Sequence, residues 1–253
     1  MIKKFIAALG IICLLLGLTS LAEAGKVYLL SGADSVQDAA IQSALEGFGH
    51  QVTIGVEHQN FDGSQSLGGY DAVIFLDSNN FGPTEDGQSR DMPDPGQTAL
   101  LNFIQAGGGL ITGEWVYYDN YQAPPYFTIL SAALPGTCDG GFDYLSPLTY
   151  TAVTPDAILN YQVPSPLTFQ VTDYVGTESV LLLKTGATAF YGSSGGGAGL
   201  LGWRYGSGRV LSFSTPIGPD EMSNADYKQL LNNAVKWVTR RPSLTAIWLL
   251  LLD

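Results

Sequence analysis

Residues 71–77 read DAVIFLD and residues 96–115 read GQTALLNFIQAGGGLITGEW. The first run is apolar on both faces, as a central parallel strand must be when helices cover it on each side. Ahead of the second run, Asp94-Pro95 caps a helix that carries Phe103 and Ile104 and stops at Gly107-Gly108-Gly109. Residues 110–113 then form another strand. The alternation extends upstream. Residues 26–30 (KVYLL) make a short buried strand. Ser35-Val36-Gln37-Asp38 is a capping box opening a helix, with Ala39, Ala40, Ala44, Leu45 and Phe48 as its apolar face and Gly47 and Gly49 at its end. Residues 51–56 (QVTIGV) alternate as the next strand. Strand, helix, strand, strand, helix, strand at this spacing predicts βαβ units and a doubly wound parallel sheet.

Downstream the pattern changes. Residues 123–175 are rich in Pro, Gly and Thr, with one short helical stretch near residues 126–134. Short strands are expected over residues 179–183, 187–191, 199–204 and 209–214. The run GSSGGGAG (192–199) lacks the Lys and Ser/Thr ending of a phosphate loop and joins two strands, so it reads as a hairpin loop. Ser223 to Asp226 is a second capping box, and Tyr227, Leu230, Leu231, Ala234, Val235 and Val238 give the closing helix its apolar face. The fold class expected is α/β: a mostly parallel sheet with antiparallel strands added in the C-terminal half.

Lys3 and Lys4, an apolar run over residues 6–18 and the small-x-small site Ala22-Glu23-Ala24 form a signal peptide cleaved after Ala24. Its apolar run falls short of the roughly 20 residues a membrane span needs, and Ile11-Ile12 before Cys13 is no lipobox. The expected organisation is a signal peptide (1–24), one α/β domain (25–241) and a short apolar tail (242–253). A secreted or periplasmic product follows, with no stable membrane span in the mature chain. The 253 residues hold 23 Asp and Glu against 11 Lys and Arg, a net charge of −12. Such acidity repels phosphate backbones and anionic lipid, which excludes nucleic acid and membrane surfaces as partners. Past the signal only Cys138 remains, so an intramolecular disulfide is impossible and stability must come from a packed core.

Five stretches, KVYLLSG (26–32), YDAVIFLD (70–77), GQTALLNFIQAGGGLITGEW (96–115), GWRYGSGRVLSFSTPIG (202–218) and NADYKQLLNNAVKWV (224–238), resemble the class I glutamine amidotransferase-like superfamily. Within it they are similar to the trehalose-utilisation (ThuA-like) type. The resemblance spans most of residues 25–239 and implies a flavodoxin-like doubly wound sheet. It also implies a cysteine in a Gly-x-Cys-x-Gly turn after residues 110–113 and a histidine after residues 209–214. This chain departs at both places. Gly113 is followed by Glu114, Trp115 and Val116, and the late strand by Ser214-Thr215-Pro216-Ile217-Gly218. His50 and His58 match no motif position. A thiolate nucleophile needs a base within reach, and Cys138 falls in a stretch read as an irregular loop. Glutamine amidotransferase activity is not expected.

In an open parallel sheet, ligands bind beyond the carboxyl ends of the strands. Asp34, Asp77, Asn79, Asn80 and Glu114 reach that edge. Converging carboxylates there could hold a divalent cation through oxygen ligands or work as acid and base. The plain alternative is that Asp34 caps a helix while Asp77 and Asn79 turn the chain. Next to Glu114 come Trp115, Tyr117, Tyr118, Tyr121 and Tyr126, with Asp119 and Asn120 between them. Flat rings beside carboxylates and amides suit neutral sugars; they also suit packing beneath a long loop. The acidic loop with Asp86, Asp91 and Asp94 lacks the ligand spacing of an EF-hand. Three functions compete: a non-hydrolytic module binding a carbohydrate or other polar ligand, a carboxylate-dependent enzyme acting on sugars, and a cell-surface interaction domain. Glu114 is the leading candidate for a functional residue in the first two.

Overall fold

A computed structural model describes residues 24–77, 91–174 and 176–240. Residues 1–23, which carry most of the expected signal peptide, Asn79, Asn80, Asp86 and the apolar tail lie outside the described residues. In chain order the strands are β1 (Lys26–Ser31), β2 (Gln51–Glu57), β3 (Ala72–Phe75), β4 (Gly109–Thr112), β5 (Gly136–Asp143), β6 (Leu148–Ala152), β7 (Leu167–Phe169), β8 (Glu178–Leu183), β9 (Thr188–Ser193), β10 (Ala198–Tyr205) and β11 (Gly208–Phe213). The helices are α1 (Ser35–Gly47), α2 (Asp94–Gln105), α3 (Glu114–Tyr121) and α4 (Ala225–Val238).

Nine strands form one sheet in the order β2-β1-β3-β4-β11-β10-β9-β6-β7. The first five are parallel to their neighbours and the rest join antiparallel, which is the mixed, flavodoxin-like α/β architecture. β5 and β8 form a separate antiparallel ribbon. Register explains why β3 and the middle of β4 are apolar. Leu29, Ile74, Ile111 and Leu211 line up across four strands on one face, and Tyr28, Val73, Leu110 and Val210 line up on the other. The first row packs in one core with Ile41 of α1 and Leu230 of α4, and the second in another with Leu100 and Ile104 of α2. Both faces are covered, so a polar residue there needs an internal partner, as Thr112 and Ser212 are for each other at 2.7 Å.

Both capping boxes sit one residue from where the sequence pattern puts them. Asp34 caps α1, accepting from Val36 N at 2.9 Å and Gln37 N at 3.2 Å, while Asp38 accepts from the Ser31 hydroxyl at 2.6 Å. Asn224 caps α4, accepting from Asp226 N at 2.9 Å and Tyr227 N at 3.0 Å. In each case a longer Asx side chain next to the serine reaches two orphan amides at once. The inner stripe of α1 is also rotated. Gln37, Ile41, Ala44 and Leu45 are buried, whereas Ala39 and Phe48 are exposed. The cause is polar: Gln37 Nε2 donates to the carbonyls of Pro216 (3.0 Å) and Ile217 (3.3 Å) and fixes that face inward.

Residues 123–175 are more regular than their composition implies, since β5, β6 and β7 lie there. Cys138, expected in an irregular loop, is a buried residue of β5. The cap assignments give a direct test. Asn224→Ala should lose about 1 kcal/mol of stability, while Ser223→Ala stays within about 0.5 kcal/mol of the parent, both read from urea unfolding midpoints.

Candidate functional site

β4 ends at Thr112, Gly113 bends the chain in extended geometry, and Glu114 opens α3. The Glu114 amide donates to Thr215 O at 3.1 Å, which ties the start of α3 to the end of β11. The side chain is 1% exposed. Its Oε1 accepts from Ser179 Oγ at 3.1 Å, and Oε2 has no hydrogen-bond partner among the described residues. Burial pushes this carboxyl up to about 8, with help from the charges of Glu178, Asp119 and Glu221 and against the bond from Ser179. At neutral pH Glu114 is therefore mainly a neutral acid, able both to donate and to accept.

Two further buried glutamates lie near the same edge. Glu178, the first residue of β8, accepts from the Ser214 hydroxyl, which also bonds the Tyr150 hydroxyl at 2.9 Å. Burial pushes Glu178 up to about 7, with Asp143 adding to the rise and Ser193 and Ser214 opposing it. Neighbours on a strand face opposite ways, so Ser179 meets Glu114 on one side of β8 and Glu178 points to the other. Glu221 differs in kind. One of its oxygens accepts from Thr172 N (3.0 Å), Thr172 Oγ1 (2.8 Å) and Gly218 N (3.0 Å), which makes it a clasp between two loops. Burial raises it to about 7.

Asp77 lies past the end of β3 with φ at 51°, a left-handed backbone unusual for a residue with a side chain. Its Oδ1 is 3.2 Å from His58 Nε2, and Asp119 of α3 lies close enough to bear on its carboxyl. Burial, reinforced by Asp91, raises its pKa. His58 sits between the rings of Phe75 (5.5 Å) and Phe127 (5.8 Å). Because Asp119 also acts on Glu114, the structure brings Asp77, Asp119 and Glu114 into one electrostatic neighbourhood. Asp34 is apart from it. It caps α1 and accepts from the Tyr174 hydroxyl at 2.5 Å.

The aromatic run divides. Trp115 and Tyr117 are buried, and the Tyr117 hydroxyl donates to Ser212 at 2.7 Å. Tyr118 meets Trp115 edge-on at 5.2 Å and Phe142 at 5.5 Å, and Phe142 meets Tyr144 at 5.7 Å. Phe142 and Tyr144 are 43% and 59% exposed, so a row of rings climbs from the core to the surface beside Glu114. Phe142, Glu178, Ser179 and the pairing of His58 with Asp77 were absent from the sequence reading. Glu178 left one signal there, a carboxylate opening the otherwise apolar run ESVLLL. Burial and the charges of Asp139 and Glu114 push the Cys138 thiol up, the reverse of the shift that activates a thiolate. Among the described residues no three His, Cys, Asp or Glu side chains are placed to hold a metal, and no helix is long and apolar enough to cross a membrane.

The parallel half-sheet, the turn after β4 and the antiparallel extension define the class, a flavodoxin-like α/β domain. No protein-family model and no curated protein sequence matches the chain. Solved structures do. A cytoplasmic protein from Salmonella typhimurium aligns over 85% of this chain and 100% of its own, at 17% identity and a TM-score of 0.61. A ThuA-like protein from Parabacteroides merdae aligns over 87% and 92%, at 12% identity and 0.57. A cold-adapted β-galactosidase from Rahnella sp. R3 aligns over 87% of this chain and 32% of its own, at 15% identity and 0.56. At these identities the likeness is one of fold.

The raised carboxyls make a pH prediction. A carboxyl whose folded pKa exceeds its unfolded value binds its proton more tightly when folded. The stability it contributes is complete below the ordinary carboxylate range and is lost as pH rises through the folded pKa. With Glu178 and Glu221 near 7 and Glu114 near 8, the thermal midpoint should be highest near pH 5 and fall progressively from there to about pH 8. Glu114→Gln, which cannot ionise, should melt above the parent at about pH 8.5 and below no more than slightly at about pH 5. A midpoint rising with pH over that range would contradict the assignment.

Proposed function

We propose that this chain is an exported amidotransferase-like domain of the ThuA-like type that binds a neutral polar ligand, a carbohydrate, at the carboxyl edge of its sheet without hydrolysing an amide. The observation that carries the reading is Glu114. It stands at the turn where the resemblance implies a nucleophilic cysteine, and it holds a largely protonated carboxyl with one oxygen unengaged. Such a group offers a donor and an acceptor to ligand hydroxyls. An anionic ligand would instead meet Asp119 and the wider field of a chain of net charge −12. The ring row ending at Phe142 and Tyr144 supplies flat apolar faces next to that acid. The fold-level likeness to a ThuA-like protein and to a β-galactosidase adds an analogy in the same direction, which is weaker support than the site itself.

A thermal-shift and calorimetry screen of neutral mono- and oligosaccharides tests this. Glu114→Ala should weaken the strongest binder by about tenfold or more, whereas Glu114→Gln, which keeps one donor and one acceptor, should retain most of the affinity and lose its decline above about pH 8. If no neutral saccharide binds, or Glu114→Ala binds as the parent does, the reading fails. The mature protein recovered from outside the cytoplasm should begin at Gly25, as amino-terminal sequencing would report.

A second reading has its own observation. Glu114 is protonated while Asp119 links it to the Asp77–His58 pair, and acids with separated pKa values are the usual basis of acid–base catalysis. A sugar-cleaving enzyme built this way would hydrolyse aryl glycosides, and Glu114→Gln would abolish turnover while leaving binding in place.

A further inference from the structure

On the side of β8 facing away from Glu114, Glu178 is fully buried, and its Oε2 has no hydrogen-bond partner among the described residues. Asp143 stands directly across the ribbon from it, opposite in register. Both carboxylates face the turn between β9 and β10. A Cβ built on Gly195 would lie 2.1 Å from Glu178 Oε2 and 2.8 Å from Asp143 Oδ2, so the two oxygens converge on the Gly195 backbone, an approach only a glycine admits. Ser193 Oγ accepts from Gly195 N at 3.2 Å and lies close enough to Glu178 to favour its charged form. The turn is pinned from outside: Ser194 N donates to Thr149 O, and Thr149 N to Ser194 Oγ, both at 3.0 Å. Asp143, Ser193 and Gly195 are each only half-buried, so this corner of the fold borders solvent. Among the described residues neither carboxylate has a Lys or Arg partner.

We propose that Glu178, Asp143 and the Ser193 hydroxyl form a site for a hard divalent cation, calcium, seated between the β5–β8 ribbon and the β9–β10 turn. Two carboxylates bring the charge that balances one divalent ion, and all three side-chain donors are oxygens. Calcium accepts six to eight oxygens in flexible geometry and takes waters where protein ligands run out. Magnesium asks for tighter octahedral order than a turn and a two-stranded ribbon supply. An ion here would answer the unengaged Glu178 oxygen and relieve the repulsion that Asp143 exerts on it. With two carboxylates, affinity should fall in the weak range of extracellular calcium modules, about 10⁻⁴–10⁻³ M. The site uses no side chain of the ligand reading for Glu114, because β8 separates the two.

The test uses the purified chain stripped with EDTA. Calcium chloride at about 10 mM should raise the thermal midpoint by about 4 °C more than sodium chloride of equal ionic strength. Calorimetry should report one calcium per chain. Glu178→Gln and Asp143→Asn should each remove the calcium-specific rise, and Glu114→Gln should keep it. Should Glu178→Gln fail to fold, the half-buried Asp143→Asn decides alone. A rise matched by sodium chloride, or one that survives intact in Asp143→Asn, overturns the proposal.

Discussion

β11 pairs in parallel with β4 on one side and antiparallel with β10 on the other, and the two halves of the sheet meet only there. That junction needs very close backbone approach. A Cβ at Gly208 would stand 2.2 Å from the carbonyl oxygens of both Gly108 and Ile104, so the turn into β11 and the end of α2 can meet only through a glycine. At the other end, the short run after β11 ties β10, β8 and the start of α3 together. Ser214 N donates to Gly199 O at 3.0 Å, Ser214 O accepts from Ser179 N at 3.0 Å, and Thr215 O accepts from Glu114 N at 3.1 Å. Sheet, ribbon and α3 are thus hung on two residues. Their backbone bonds satisfy groups that would otherwise be buried and orphaned.

Placing three glutamates at that junction is costly unless their charge is removed or answered. The protein meets the cost mainly with protons and hydroxyls, since Ser179, Ser214 and Thr172 supply the donors. The number of bonds separates the roles. Glu221 gathers three on one oxygen and holds two loops together, whereas Glu114 has a single side-chain bond from a serine. A purely structural acid would be expected to look like Glu221. Glu114 has fewer bonds, although each of the two keeps one oxygen without a hydrogen-bond partner among the described residues.

The parallel half of the sheet was legible because its strands are apolar runs whose faces are both buried, as AVIF in β3 and GLIT in β4 show. β5 was not legible. GTCDGGFD has no apolar period, and its strand character comes from pairing with β8 and from glycines that admit close neighbours. At Gly140, for instance, a Cβ would strike the Tyr121 ring at 2.4 Å. α3 was hidden for a related reason, since EWVYYDNY is apolar on most sides and shows no single face. Glu114 could be placed from its position in the chain. Asp34 could be read as cap or ligand, and the two amides it accepts and the Tyr174 hydroxyl resolve it as a cap with a second tether. Glu178 and His58 depend on partners far away in sequence, Ser214 and Asp77, which no local pattern encodes.

Alternation along β8 gives the edge of this sheet two compartments. Ser179 turns toward Glu114 and the ring row, while Glu178 turns toward Asp143 and the Gly-rich turn. The compartments share no side chain, yet the charge of Glu178 raises the pKa of Glu114 across the strand. Their titrations are therefore linked, and each proton taken or lost on one side changes the cost on the other. A cation held between Glu178 and Asp143 would cancel the charge that now opposes ionisation of Glu114, and so would lower the pKa of Glu114. Linkage makes the effect reciprocal. A ligand that prefers neutral Glu114 would weaken cation binding, and the cation would weaken that ligand, with no movement of the backbone required. One strand, two residues wide, is sufficient to couple a neutral compartment to a charged one.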